Sequence, residues 1–154
     1  MLREMLGLSE RLMQRLHDDH QKIDGMFERT LKARGERRAE LFRQLRVELE
    51  AHAQAEEKVL YKRLQKSKGE ETRKFAYEAG AEHGVVYGLL DELSRMRNKA
   101  GEPWEAKLTV LQELVRHHVE EEEGEGFGLT RSECDKTELE KMAEQFEREK
   151  DNFR

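Results

Sequence analysis

Ten residues, His52 to Tyr61 (HAQAEEKVLY), come back later in the chain as His118 to Phe127 (HVEEEEGEGF). In each copy a histidine is followed four positions on by a glutamate, Glu56 or Glu122. A second glutamate comes next, Glu57 or Glu123, and an aromatic stands five beyond the first. Residues four apart on a helix share a face one turn apart, so each stretch aims an imidazole and a carboxylate the same way. Such a pair is half of a metal site. Two halves make a site only if the helices carrying them face one interior, and that demand narrows the architecture more than any other feature.

The rest of the pattern is helical. Ser9 is placed to cap a first helix whose apolar stripe, Leu12, Met13, Leu16, Ile23 and Phe27, also carries His20; Gly35 ends it or sits in the turn after it. A second helix spans about 36–66, with Leu41, Leu45, Leu49, His52, Glu56, Val59 and Leu60 inward, and KSKGE around Gly69 stops it. A third, about 70–99, turns Phe75, Ala79, His83, Val86 and Leu90 inward. It also holds Gly80, Gly84 and Gly88 four apart, each costing about 1 kcal/mol against alanine. That row allows close approach of another helix, room beside His83, or merely a weakly packed face. Pro103 suits the first turn of a fourth helix bearing Leu108, Leu111, Val115, His118 and Glu122, which GEGFG (124–128) closes. Asp135 and Glu138, in capping-box spacing, open a last helix with a narrow stripe of Leu139, Met142 and Phe146. It is expected to lie across the end of the bundle or to mediate self-association.

No β-type alternation appears. Short connections between long helices turn neighbours antiparallel, so the expected fold is all-α: one domain over 1–154, an up-down-up-down antiparallel four-helix bundle over about 9–127, with an additional C-terminal helix over about 132–151. Charged residues make up 41% and hydrophobic ones 36%, the balance of long helices with solvated outer faces. A net charge of −5 gives nucleic acid or an anionic membrane no electrostatic attraction. Cys134 is the single cysteine, which excludes an internal disulfide and a Cys-ligated zinc or iron–sulfur site. The opening MLREMLGLSE carries Arg3 and Glu4 where a signal peptide needs an apolar run, and no stretch approaches the roughly 18–20 apolar residues of a membrane span. A cytoplasmic location is therefore expected.

Four antiparallel helices put four seams around one axis, and each seam carries one histidine: His20, His52, His83 and His118. Glu56 and Glu122 join two of them. Alone, a histidine on an apolar stripe is usually a hydrogen-bonded core residue and a helical glutamate a solvated one. Six such groups on core-facing seams are another matter, because each buried polar group without a partner costs about 1–3 kcal/mol. A cation satisfies them together. Imidazole and carboxylate without sulfur suit iron, zinc, copper or manganese. Two carboxylates among four imidazoles fit two ions, each with two nitrogens and both glutamates bridging. Positions then stay open for an oxo or hydroxo bridge and an outside ligand, which suits a redox-active di-iron centre better than a closed structural zinc site. His118 keeps the phase of Leu111, Val115 and Glu122; its neighbour His117, spaced to pair with Glu121, is the alternative. Asp24, Tyr87 and His117 are expected around the ligands, with Tyr87 either lining the pocket or packed in the core. His17 is expected at the surface, and Tyr61 and Phe127 in ordinary packing.

The motifs DHQKID around His20, HAQAEEKVLY from His52, EHGVVYGLL around His83 and HHVEEEE from His117 resemble those of the hemerythrin-like, or HHE cation-binding, domain family, over about Ser9 to Phe127. The resemblance implies a four-helix bundle holding two iron ions. His20, His52, His83 and His118 would be terminal ligands, and Glu56 and Glu122 bridging ones. The oxygen-carrying members have a second histidine in the third helix where this chain has Tyr87, so the pattern is closer to the bacterial hemerythrin-like proteins. The function expected is binding, sensing or storing O₂, NO or peroxide at the irons, with a self-associating C-terminal helix as the output of a sensor. Two alternatives stay open: an enzyme that turns over peroxide or NO at the same irons, and a module for iron storage or structure alone.

Overall fold

The computed structural model describes residues 10–154, so the Ser9 cap lies outside the described residues. Helix α1 is Arg11–Lys32. Helix α2 is Gly35–Glu56, continued without a break by a π turn, Glu57–Tyr61, and by Lys62–Leu64. Helix α3 is Glu70–Arg95. Helix α4 is Glu102–Glu121, continued by a second π turn, Glu122–Gly126, and by Phe127–Glu133. Helix α5 is Lys136–Phe153, and no strand occurs among the described residues.

The links are short and chemically pinned. Gly35, at φ +58°, occupies the left-handed region that side chains disfavour, which lets the chain reverse after Ala33 and Arg34. Arg38, 1% exposed, then ties the turns together: it donates to the carbonyls of Leu31, Ala33 and Lys99 at 2.8–2.9 Å and to Glu105. Helix α3 ends at Arg95, short of the expected Lys99. Lys99 folds back on the carbonyls of Leu93, Ser94 and Met96, and Trp104 Nε1 donates to Leu93 at 3.0 Å. Helix α4 runs on through the glycines that were expected to close it. Gly126 sits under the Phe75 ring, where a Cβ would lie 2.5 Å from Cζ.

Two apolar clusters fill the interior. One gathers Leu12, Leu16, Leu60, Phe75, Phe127 and Phe146 among others; the second gathers Ile23, Phe27, Phe42, Leu45, Trp104 and Leu108. In each of α1 to α4 the chain passes from one cluster to the other at its core histidine. Burial of these side chains, at about 1.5–3 kcal/mol each, sets the heights of the helices against one another and so fixes the polar layer between the clusters.

Helix α5 corrects the expectation that it crosses the bundle end. It packs along α1 and α2, with Leu139, Met142 and Phe146 buried within its own chain. Asp135 caps it as its spacing predicts, accepting from the Glu138 amide at 2.9 Å, while the Glu138 side chain goes to Arg63 instead of closing the reciprocal bond. The row Gly80, Gly84, Gly88 faces open space, with nothing within 4 Å of an added Cβ, so no helix among the described residues packs closely on it. No helix among the described residues is long and apolar enough to cross a membrane.

Candidate metal centre

Where the two clusters meet, α1 to α4 supply His20, His52, His83 and His118, all buried, and α2 and α4 add Glu56 and Glu122, both fully buried. The Nε2 atoms point inward. His52 and His83 each lie 3.3 Å from Glu56 Oε1, His20 lies 3.2 Å from Glu122 Oε1, and His118 lies 3.4 Å from Glu122 Oε2. Each carboxylate therefore touches imidazoles from two helices. Two groups share Glu56: His20, His52, Glu56 and Glu122, and Glu56, His83 and His118, each with its candidate ligand atoms within 4.8 Å of one another. All six residues expected from the sequence come together.

The outer nitrogens form a ring. Nδ1–H of His52 donates to Asp19 of α1, that of His83 to Glu57 of α2, and that of His118 to Glu82 of α3, each at 2.9 Å; His20 donates to Glu123 of α4 at 2.7 Å. Every imidazole is thus held by an acid from the helix before it around the bundle. Each acid adjoins an inward residue in sequence, and one step along a helix turns it by about 100°, off the seam and toward the next helix. The repeat itself pointed to Glu57 and Glu123, and an acid directly before a core histidine was the signal for Asp19 and Glu82. Donation from Nδ1 fixes the ring orientation and leaves Nε2 as the atom a metal would take in place of a proton.

Burial alone would drive these imidazoles neutral, but the carboxylates outweigh it: His52 and His83 are pushed up to about 9, and His20 and His118 are raised too. Burial likewise opposes the charge of Glu122, yet its hydrogen-bonding neighbours hold it well below the usual carboxylate range. For Asp19 the bonds from His52 and Lys150 overcome burial and hold it at about 2. Without a cation, then, the pocket holds protons where positive charge belongs.

Tyr61 is not ordinary packing. Its hydroxyl donates to Glu122 and to Glu56 (3.3 Å), and lies 2.9 Å from His118 Nε2 and 3.5 Å from His83 Nε2. The reason is the π turn: its i→i+5 hydrogen bonding puts more residues in each turn than an α-helix does, so Tyr61, five beyond Glu56, comes round closer to the face of Glu56. Phe127 holds the equivalent place in the second repeat and packs in the apolar cluster, as expected. Asp24 does not support His20; it pairs with Arg116 at 2.8 Å on the surface. His117 is exposed and pairs with Glu121 at 2.9 Å. Tyr87 is near the site, its hydroxyl donating to the Glu57 carboxylate that holds His83. His17 is only partly exposed and shares Glu123 with His20, at 2.9 Å, so it belongs to the ring and not to the bare surface.

The donor set fits a metal. His20 Nε2, His52 Nε2, Glu56 Oε2 and Glu122 Oε1 are buried without a hydrogen-bond partner, all aimed into the same space. They meet opposite charges at 3.2–4.0 Å but out of hydrogen-bond geometry, and a cation placed among them would satisfy all four. A helical bundle with a buried layer of imidazoles and carboxylates, backed by a ring of acids, defines a cation-binding bundle protein. The chain belongs to the Hemerythrin HHE cation binding domain family, which matches residues 11–130. It is also similar to a protein described as a DNA nickase from Nostoc sp. (strain PCC 7120), at 29% identity over 129 residues, 83% of this chain. The chain spans only 36% of that relative's length. No solved structure matches it.

Proposed function

We propose that the cluster holds two iron ions and that the protein binds, senses or stores O₂, NO or peroxide there. The carrying observation is the pair of overlapping donor groups with carboxylates between them, left with orphaned nitrogens and oxygens. His20 and His52 would hold one ion, His83 and His118 the other, with Glu56 and Glu122 shared. When bound, iron supplies redox electrons and open positions for a small ligand. The chain's own residues orient the imidazoles through the acid ring and keep water out. A cavity of about 20 Å³ beside the histidines is walled by Ile23, Leu49, Ala53, Val86, Val115 and Val119, a space suited to a small, weakly polar guest. The alternation of the four long helices, up-down-up-down, fits the same reading: α1 and α3 meet the two apolar clusters in one order, α2 and α4 in the reverse.

Metal analysis and visible spectroscopy after anaerobic purification and iron reconstitution test this. About two irons per chain are expected, and Glu56→Gln with Glu122→Gln should abolish uptake. Unchanged uptake in the double variant, or less than one iron in the unaltered chain, would end the reading.

A second reading, turnover of peroxide, is favoured by Tyr61, whose buried hydroxyl lies among both halves of the site. A carrier reacts once per centre, whereas an enzyme consumes many equivalents per iron. The activity in the Nostoc protein's name is not carried over, since this chain spans only 36% of that protein and its net charge of −5 gives a polyanion no overall electrostatic support.

A further inference from the structure

The ring of acids is not uniform. The side chains of Glu123, Glu57 and Glu82 are 25%, 36% and 35% exposed, whereas Asp19 is 9% exposed. Against Asp19 lies a buried cation from α5. Lys150 Nζ donates to Asp19 Oδ2 at 2.6 Å, the same oxygen that accepts from His52 Nδ1 at 2.9 Å. Glu48 Oε1 lies 3.5 Å from the ammonium, and Lys150 is 4% exposed. One turn earlier, Phe146 sets its ring edge-on to His52, with centroids 5.5 Å apart. In the other half, the acid on His83 is met by the Tyr87 hydroxyl, a neutral donor. Helix α5 also lies beyond the residues that match the family, 11–130.

We infer that Lys150 is a positioning residue of the metal centre, through which α5 locks Asp19 against His52 and sets the donor strength of the His20/His52 half. The inference rests on the metal-centre reading above. A carboxylate accepting from a ligand imidazole makes that imidazole a stronger donor, and a cation on the same oxygen moderates the effect. Taking the ammonium away leaves the full carboxylate charge on the His52 N–H. The imidazole then favours a higher oxidation state of the metal it holds. Asp19, no longer tied to α5, also holds the His52 ring plane less firmly and opens from its N–H more often. The two halves of the site are therefore made unequal by a helix beyond the matched residues, which acts on the His52 half through Lys150 and Phe146.

The test compares the full chain with Lys150→Met and Lys150→Arg. In the metal-free protein, ¹⁵N-histidine NMR should show the hydrogen-bonded His52 N–H, assigned with His52→Gln, as a slowly exchanging proton. In Lys150→Met that resonance should move and exchange at least ten times faster, with the His83 and His118 resonances in place; Lys150→Arg should restore it. In the iron-loaded protein Lys150→Met should lower the midpoint potential, and Lys150→Arg should return it. An unmoved His52 resonance, with thermal stability alone reduced, overturns the inference, because a purely structural lysine would act that way. If Lys150→Met does not fold, Lys150→Gln gives the same comparison. Failure of the unaltered chain to take up iron sinks the metal-centre reading instead, while the imidazole measurement still decides whether Lys150 positions His52.

Discussion

Tyr61 shows how far one side chain's role depends on backbone geometry. Burial, with Glu122 and Glu56 beside it, pushes its hydroxyl well above the usual phenol range, so it stays protonated and donates. Tyr61→Phe removes that donor while leaving the ring that packs edge-on against Phe75. The metal-free protein should lose about 1.5–3 kcal/mol, the worth of hydrogen bonds to charged groups, in denaturant unfolding. If the hydroxyl supplies protons during peroxide turnover, the same variant should fall about 100-fold in peroxide consumed per iron while still loading iron. Equal turnover in the variant would remove Tyr61 from that role and weaken the enzymatic reading with it.

At the scale of the helix, the two π turns lie at the core glutamates, Glu122 opening one and Glu56 directly preceding the other. Each widens the helix by one residue just past the site and re-aims the side chains beyond it, which is the usual setting of such turns. In the second turn the fit against α3 needs glycine: Gly126→Ala would drive a Cβ into Phe75, at an expected loss of about 1–3 kcal/mol. The exposed row on α3 predicts the opposite sign. Gly84→Ala meets nothing within 4 Å and should stabilise the chain by about 0.5–1 kcal/mol, with Gly80 and Gly88 behaving alike. Urea unfolding of these single variants checks both directions; a Gly84→Ala chain less stable than the parent would show that the row has a packing role in an assembly.

For the molecule as a whole, the protonated cluster links folding to metal and pH. His52 and His83 are raised from the model-peptide value of 6.5 to about 9, so the folded, metal-free chain binds protons more tightly than the unfolded one. Their contribution to stability is complete below pH 6.5 and is lost as pH rises through about 9. Thermal unfolding of metal-free protein should therefore weaken over that window, and a flat profile would contradict the pairing described. Cations compete with those protons, so affinity for ferrous ion should climb over the same range, as anaerobic calorimetric titration would show.

Helical periodicity, the repeated histidine–glutamate spacing and the lone cysteine determined the helical class, six inward donors and a cation as their partner, because a helix converts spacing into facing direction without help from the rest of the chain. Asp24 and His117 share that spacing with real site residues yet lie at the surface, where Arg116 and Glu121 take them. Only tertiary structure decided which neighbours meet: the π turn that brings Tyr61 inward, the acids that hand each imidazole to the next helix, and Lys150 arriving from α5. Those contacts join residues up to 131 positions apart, and their distances depend on how the two apolar clusters set the heights of the helices.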